Sequence, residues 1–217
     1  MSDKGRRESI TISKGRFEAF SDGVFAIAIT LLVLELRPPE GGVKDAALLR
    51  ELIALWPEYL VYVASFATIG IMWFNHYALF HNVRSVSYTA LIANLALLLL
   101  VCFVPFTTLL LGRVGLLPSA TAFYGLILLA LSICFNVLYY AATVPPGEHG
   151  SVGDFLRKRN AWNSIGVIVY AAATLLAYVS PLASILTFVA MAVFYLLPGT
   201  VRVALGAGGE GSALTPP

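Results

Sequence analysis

Six stretches of mostly apolar residues follow one another along the chain, each of about the 20-residue length that crosses a bilayer as a helix. They are Phe17–Leu36, Pro57–His76, Tyr88–Leu111, Ser119–Thr143, Trp162–Ser180 and Pro181–Val201. Polar and turn-forming residues separate them. Pro38-Pro39 and Gly41-Gly42 end the first stretch, Gly112 to Pro118 forms a short turn, and Pro145-Pro146-Gly147 opens a polar loop. Ser180-Pro181 predicts a tight hairpin between the last two stretches. Pro105 lies well inside the third stretch and predicts a kink there. The expected organisation is a short cytoplasmic segment (1–15), one six-helix membrane domain (16–203) and a disordered tail rich in Gly, Ala, Ser and Pro (204–217).

Composition strengthens this picture. Apolar residues make up 59% of the 217 positions and charged residues 12%, about half the usual share of about 25%. A soluble fold of this size has too few charges here to cover its surface, so lipid must act as the apolar solvent. The expected fold class is an all-α, polytopic membrane protein. Val24 to Leu34 follows basic residues as a signal-peptide core does. Ser21 and Asp22 precede it, however, and no small-x-small cleavage site follows, so it reads as a retained first helix. Cys102 and Cys134 lie inside apolar runs and read as packing residues.

The cations fall unevenly about the six spans. Lys4, Arg6, Arg7, Lys14 and Arg16 precede the first span, Arg84 lies between the second and third, Arg157, Lys158 and Arg159 between the fourth and fifth, and Arg202 after the sixth. All of these share one side. The other side carries Arg37, Lys44, Arg50 and Arg113, mixed with acidic residues. By the positive-inside rule both termini are cytoplasmic, in a cell inner membrane. The net charge of +2 and the lack of a basic stripe give no sign of nucleic-acid binding.

Catalytic signatures are missing. No HExxH, GxSxG, P-loop or GxGxxG pattern occurs, and His76, His81 and His149 have no metal-ligand spacing. Neither an enzyme nor a resident cofactor is expected.

The first span carries the most information. Asp22 lies about one turn into it, where a deep charge costs about 2.5–3.5 kcal/mol on insertion scales. Its candidate partners near the same end are Arg16, Asn75 and His76, with Asn94 a little deeper. At about 100° per residue, Ile27, Thr30, Leu31 and Leu34 form one stripe, and Asp22 stands about 140° around from Ile27. Asp22 therefore reads as a structural clamp facing neighbouring protein. Taken alone, an Ile/Leu stripe reads as helix packing, Thr30 as a back-bonded threonine, Trp73 as an interfacial anchor, His76 as a hydrogen-bonded core histidine and Arg16 as a snorkelling cation. Arg16 and Asp22 are six positions apart, so a contact between them would join helices or subunits.

The segment Arg16, Phe20, Ser21, Asp22 spells Arg-x-x-x-Phe-Ser-Asp and continues Gly-Val-Phe-Ala-Ile-Ala-Ile-Thr-Leu-Leu-Val-Leu-Glu. It resembles the first helix of the transmembrane protein 175 family of potassium channels. Ser65-Phe66, Ile69-Gly70, Trp73, Asn75-His76 and Leu79-Phe80 resemble the family's second helix. Asn94, Phe103-Val104-Pro105-Phe106 and Gly112 resemble its third. The resemblance implies a single-repeat member assembling as a homotetramer in membrane lipid, with four copies of the first helix around a pore for potassium and other monovalent cations. It places Ile27 at an apolar constriction, Thr30 one turn outward where a threonine influences potassium preference, and Leu31 and Leu34 at further apolar layers.

A ring of isoleucines holds a narrow dry gap that gates by dewetting, in contrast to a carbonyl filter. Thr68-Ile69-Gly70 lies within a span and is no such filter. Four Thr30 hydroxyls would replace part of the lost hydration. Helical counting puts Glu35 near the outer end, about 80° from Ile27, as a candidate pore-mouth charge. The expected function is a potassium-preferring cation leak channel with no cofactor beyond the permeating ion. The rival readings are a secondary transporter, a non-conducting membrane scaffold and a proton-permeable channel, the last because the lysosomal animal member is linked to proton flux.

Overall fold

The computed structural model of the protein describes residues 13–39, 45–143 and 161–196. Every regular element in them is helical. α1 spans Lys14–Leu31 and tightens into a 3-10 turn over Leu32–Glu35. α2 spans Asp45–Ala54, α3 Trp56–His81, α4 Tyr88–Val114, α5 Pro118–Thr143, α6 Ala161–Leu176 and α7 Pro181–Leu196.

Local chemistry explains the boundaries. Ser87 caps α4, its hydroxyl accepting from the Ala90 amide at 3.1 Å. Gly115 ends α4 at φ 73°, a left-handed value that glycine adopts without strain, and its amide donates to the Leu111 carbonyl at 2.9 Å. Pro118 and Pro181 open α5 and α7 at the first helical position, where a missing N–H costs nothing. Pro105 does not break α4, which continues through it. The hydroxyls of Thr107 and Thr108 both donate to the Val104 carbonyl, at 2.8 and 3.0 Å.

α1, α3, α4 and α5 are long and apolar enough to cross a membrane, and α6 and α7 are shorter apolar helices. The chain is thus an all-α, multi-pass membrane protein whose six apolar stretches correspond to α1 and α3–α7. Three details differ from expectation. α3 runs on to His81, because Tyr77 to Phe80 continue its apolar face. α6 ends at Leu176, because the chain needs the turn at Ala177–Val179 to reverse before Pro181. Residues 45–54 form α2, where no helix was expected. The N-terminal cations Lys4, Arg6 and Arg7, the cluster Arg157–Arg159, Arg202 and the 204–217 tail lie outside the described residues.

The helices pack in sequence. α4 runs along α5, α5 along α6 and α6 along α7, while α7 also meets α3. Leu97, Val101 and Val104 of α4 meet Tyr124, Leu128 and Leu138 of α5 in the fully buried centre. At Gly125, α5 comes so close to its neighbours that a Cβ would stand 2.5 Å from Thr174 Oγ1 and 2.7 Å from Phe188 Cζ. α1 is set apart from this group and, among the described residues, packs chiefly on α3 and α4. Of its apolar window 28% is buried, against 61% for α5, so most of the first helix is left to meet something outside the single chain.

Candidate functional site

α1 has two unlike faces. Phe17, Ser21, Phe25, Ala28 and Leu32 recur every three or four positions and are buried against α3 and α4. Opposite them Phe20, Gly23, Ile27, Thr30, Leu31 and Leu34 are exposed, Ile27 at 61% and Leu34 at 72%. The four stripe residues expected from the sequence therefore do share one open face. The Thr30 hydroxyl lies within 2.9 Å of the Ile27 carbonyl and 3.0 Å of the Ala26 carbonyl and donates its one proton to that pair. The lone pairs of its oxygen remain available on the open side.

The buried face is held by a directional chain of hydrogen bonds. Asn94 Nδ2 donates to Ser21 Oγ at 3.0 Å, and Ser21 Oγ donates to the Phe17 carbonyl at 3.0 Å. Asn94 Oδ1 is thereby left as an acceptor, so the bond to His76 Nε2 at 2.9 Å requires the proton on Nε2. Three rings enclose the His76 imidazole. Phe80 is 4.7 Å away, Phe25 meets it edge-on at 5.6 Å and Phe17 stacks at 6.1 Å. α1, α3 and α4 are thus joined at Ser21, His76 and Asn94, all fully or almost fully buried.

Asp22 lies at the rim of this contact. Its Oδ1 accepts from Trp73 Nε1 at 2.8 Å. The sequence offered Arg16, His76 or Asn75 as its partner, and the structure instead supplies the indole, because the next turn of α3 brings Trp73 alongside α1. Arg16 is exposed at the start of α1, and among the described residues the one ion pair is Lys14–Glu18 at 3.6 Å. Asn75 faces away from α1. It lines a cavity of about 40 Å³ with Thr68, Ser132 and Tyr195, between α3 and the α5–α7 group.

Glu35 also departs from expectation. Its 80° offset from Ile27 assumed α-helical geometry throughout. The 3-10 turn adds about 120° per residue from Leu32 onward, which carries Glu35 to about 160° from Ile27. It is half-buried and lines a cavity with Glu58, Arg37 and Arg113, away from the exposed stripe. Leu34 stays on the stripe under the same counting.

A second polar cluster went unread in the sequence. Ser65 Oγ lies 2.7 Å from Thr108 Oγ1 and 3.0 Å from Tyr124 Oη, joining α3, α4 and α5 in the core. The available signal was three hydroxyls in apolar spans, but their meeting depends on helix pairing. No group of residues suited to a metal ion occurs among the described residues.

Residues 16–105 match the family described as endosomal/lysosomal potassium channel TMEM175. A protein of Chryseobacterium sp. (strain P1-3) named a potassium channel is 33% identical over 187 residues, covering 86% of this chain and 94% of that one. The chain belongs to the TMEM175 family. A crystal structure of a lysosomal potassium-selective channel TMEM175 homolog from Chamaesiphon minutus has a TM-score of 0.72 to this fold. It is 37% identical and covers 84% of this chain and 95% of that one. A protein of Chamaesiphon minutus (strain ATCC 27169 / PCC 6605), also named a potassium channel, is 48% identical over 134 residues. That match spans 59% of this chain and 66% of the relative, just under two thirds of its length. TMEM175 is a family of channels and not of enzymes, and both the open stripe and the buried polar chain lie within the matched 16–105 region.

Proposed function

We infer that the protein is a potassium-preferring cation channel in which α1 of each of four identical subunits lines the pore. The observation that carries this reading is the open face of α1. Phe20, Gly23, Ile27, Thr30, Leu31 and Leu34 share one side of the helix and are exposed among the described residues, while the other side is locked to α3 and α4. Family membership, and relatives named potassium channels, favour a pore over lipid as the surroundings of that face.

On this reading four Ile27 side chains make a dry constriction. A cation crosses it by shedding water, and potassium gives up its hydration more readily than sodium does. Gating follows from wetting and dewetting of the ring. One turn further along, four Thr30 oxygens offer lone pairs to the partly dehydrated ion. Leu31 and Leu34 extend the apolar section. The buried chain from His76 through Asn94 to Ser21 and the Trp73–Asp22 bond hold each pore helix at fixed rotation, which keeps Ile27 on the axis. On the same reading Arg16, exposed at the start of α1, meets a neighbouring subunit. The distribution of Lys and Arg along the sequence supports cytoplasmic termini in a cell inner membrane.

The deciding experiment is a reversal potential measured on purified protein in planar bilayers, with potassium on one side and sodium on the other. The expected result is a steady current reversing toward the potassium equilibrium potential. Well-folded protein that passes no current would overturn the reading in favour of a transporter or scaffold.

A further inference from the structure

Where α1 stops, the 3-10 turn, α2, the start of α3 and the end of α4 enclose a cavity of about 320 Å³. That is within the ordinary size range of a small-molecule site, about 300–1,000 Å³. Four charged side chains line it, Glu35, Arg37, Glu58 and Arg113. Two are anionic and two cationic, yet none forms an ion pair with another. Glu58 is the most demanding of them. Its Oε2 is buried from water and has no hydrogen-bond donor. A carboxylate oxygen only accepts, and burying it without a donor is costly. The position of Glu58 in the first turn of α3 suits the helix dipole but brings no N–H to Oε2.

The surroundings indicate depth in the membrane. The cavity lies at the ends of three spans, next to α2. Leu49 and Ile53 of α2 are exposed together with Trp56 at the start of α3, an apolar ridge of the kind that settles at the lipid–water boundary. The cavity therefore opens at the level of the lipid headgroups.

We propose that this cavity binds the headgroup of a zwitterionic phospholipid bearing a primary ammonium, an ethanolamine phospholipid. The ammonium donates to Glu58 Oε2 and lies beside Glu35, and the phosphate is taken by Arg37 and Arg113. A ligand of one sign would leave two like charges unmatched. A choline headgroup carries both signs but has no N–H to give to Glu58. The binding site stands whether or not the protein conducts.

The test uses the full chain, purified and delipidated in detergent, with thermal unfolding read against four probes. These are dihexanoyl phosphatidylethanolamine, the matching phosphatidylcholine and phosphatidylglycerol, and free phosphoethanolamine. The ethanolamine lipid should raise the unfolding midpoint with an apparent affinity about tenfold or more above the other two lipids, the scale of a charge-assisted hydrogen bond. Glu58→Gln and Arg113→Gln should each remove about that factor. Both should elute like the unaltered protein, and if one fails to fold the other decides. Equal shifts from all three lipids, or undiminished affinity in the variants, would overturn the proposal. Phosphoethanolamine matching the whole lipid would overturn the lipid assignment and leave a soluble zwitterion as the ligand.

Discussion

Trp73 Nε1 and Asp22 Oδ1 lie 2.8 Å apart, joining the second half of α3 to the middle of α1. The bond gives the Asp22 carboxylate a neutral donor. It lies beside the exposed stripe rather than on it. Replacing the indole with a ring that lacks the N–H tests its structural weight. Trp73→Phe should destabilise the protein by about 0.5–1.5 kcal/mol, the net worth of a hydrogen bond at an exposed rim. The drop appears as a lower unfolding midpoint in detergent, and the potassium-to-sodium permeability ratio should stay the same. An unchanged midpoint would remove the clamp role from this pair.

Asn94 bridges two helices with one amide, donating to Ser21 and accepting from His76. Asn94→Leu keeps the branched shape and removes both functions: His76 Nε2 loses its acceptor, at about 1–3 kcal/mol, while Ser21 Oγ keeps only its bond to the Phe17 carbonyl. The expected outcome is poor recovery of the assembled form on gel filtration. Full recovery would show that the chain does not orient α1.

Ile27→Ala tests the constriction. A smaller ring holds water more readily, so single-channel conductance should rise several-fold, about the effect of removing a dewetted barrier of 1 kcal/mol or so. Conductance equal to that of the unaltered protein would place the narrow point elsewhere.

Thr30→Val removes the oxygen and keeps the shape, while Thr30→Ser keeps the oxygen. Reversal potentials should show a weaker potassium preference for valine and a largely preserved one for serine. If both variants match the unaltered protein, the Thr30 oxygen does not take part in selection.

Gly125→Ala addresses the scaffold rather than the pore. The added methyl meets Thr174 and Phe188 at less than van der Waals distance, and overpacking of this kind costs about 1–3 kcal/mol. Thermal unfolding should detect it. An unshifted midpoint would mean that α6 and α7 can back away from α5 freely.

Much of this arrangement could be read before any coordinates. The apolar stretches marked six helices because crossing a bilayer sets a minimum length, and proline and glycine located most of their ends. The stripe of α1 could be read because Ile27, Thr30 and Leu31 lie on one continuous α-helix, where 100° per residue decides the face, and Leu34 keeps that side through the 3-10 turn. The same counting failed at Glu35, because the backbone tightens at Leu32 and no residue type there signals it. α2 was missed because its ten residues are too short to register as a span and too polar at one end to stand out.

Composition and local periodicity settle the apolar solvent of this protein, its long apolar helices and the grouping of Ile27, Thr30 and Leu31 on one side of α1; both sides of α1 are apolar, so which of them stays open followed from packing. The tertiary structure alone decided which polar groups meet. Asp22 could have paired with any of several residues near its end of the bundle, and the rotation of α3 selected Trp73. Ser21, His76 and Asn94 are separated by 18 to 73 positions and are joined only because α1 packs into the groove between α3 and α4. Ser65, Thr108 and Tyr124 meet for the same kind of reason. A hydrogen bond is satisfied within about 3 Å, and the relative rotation and depth of packed helices are set by the fit of all their side chains together, which no single stretch of sequence contains.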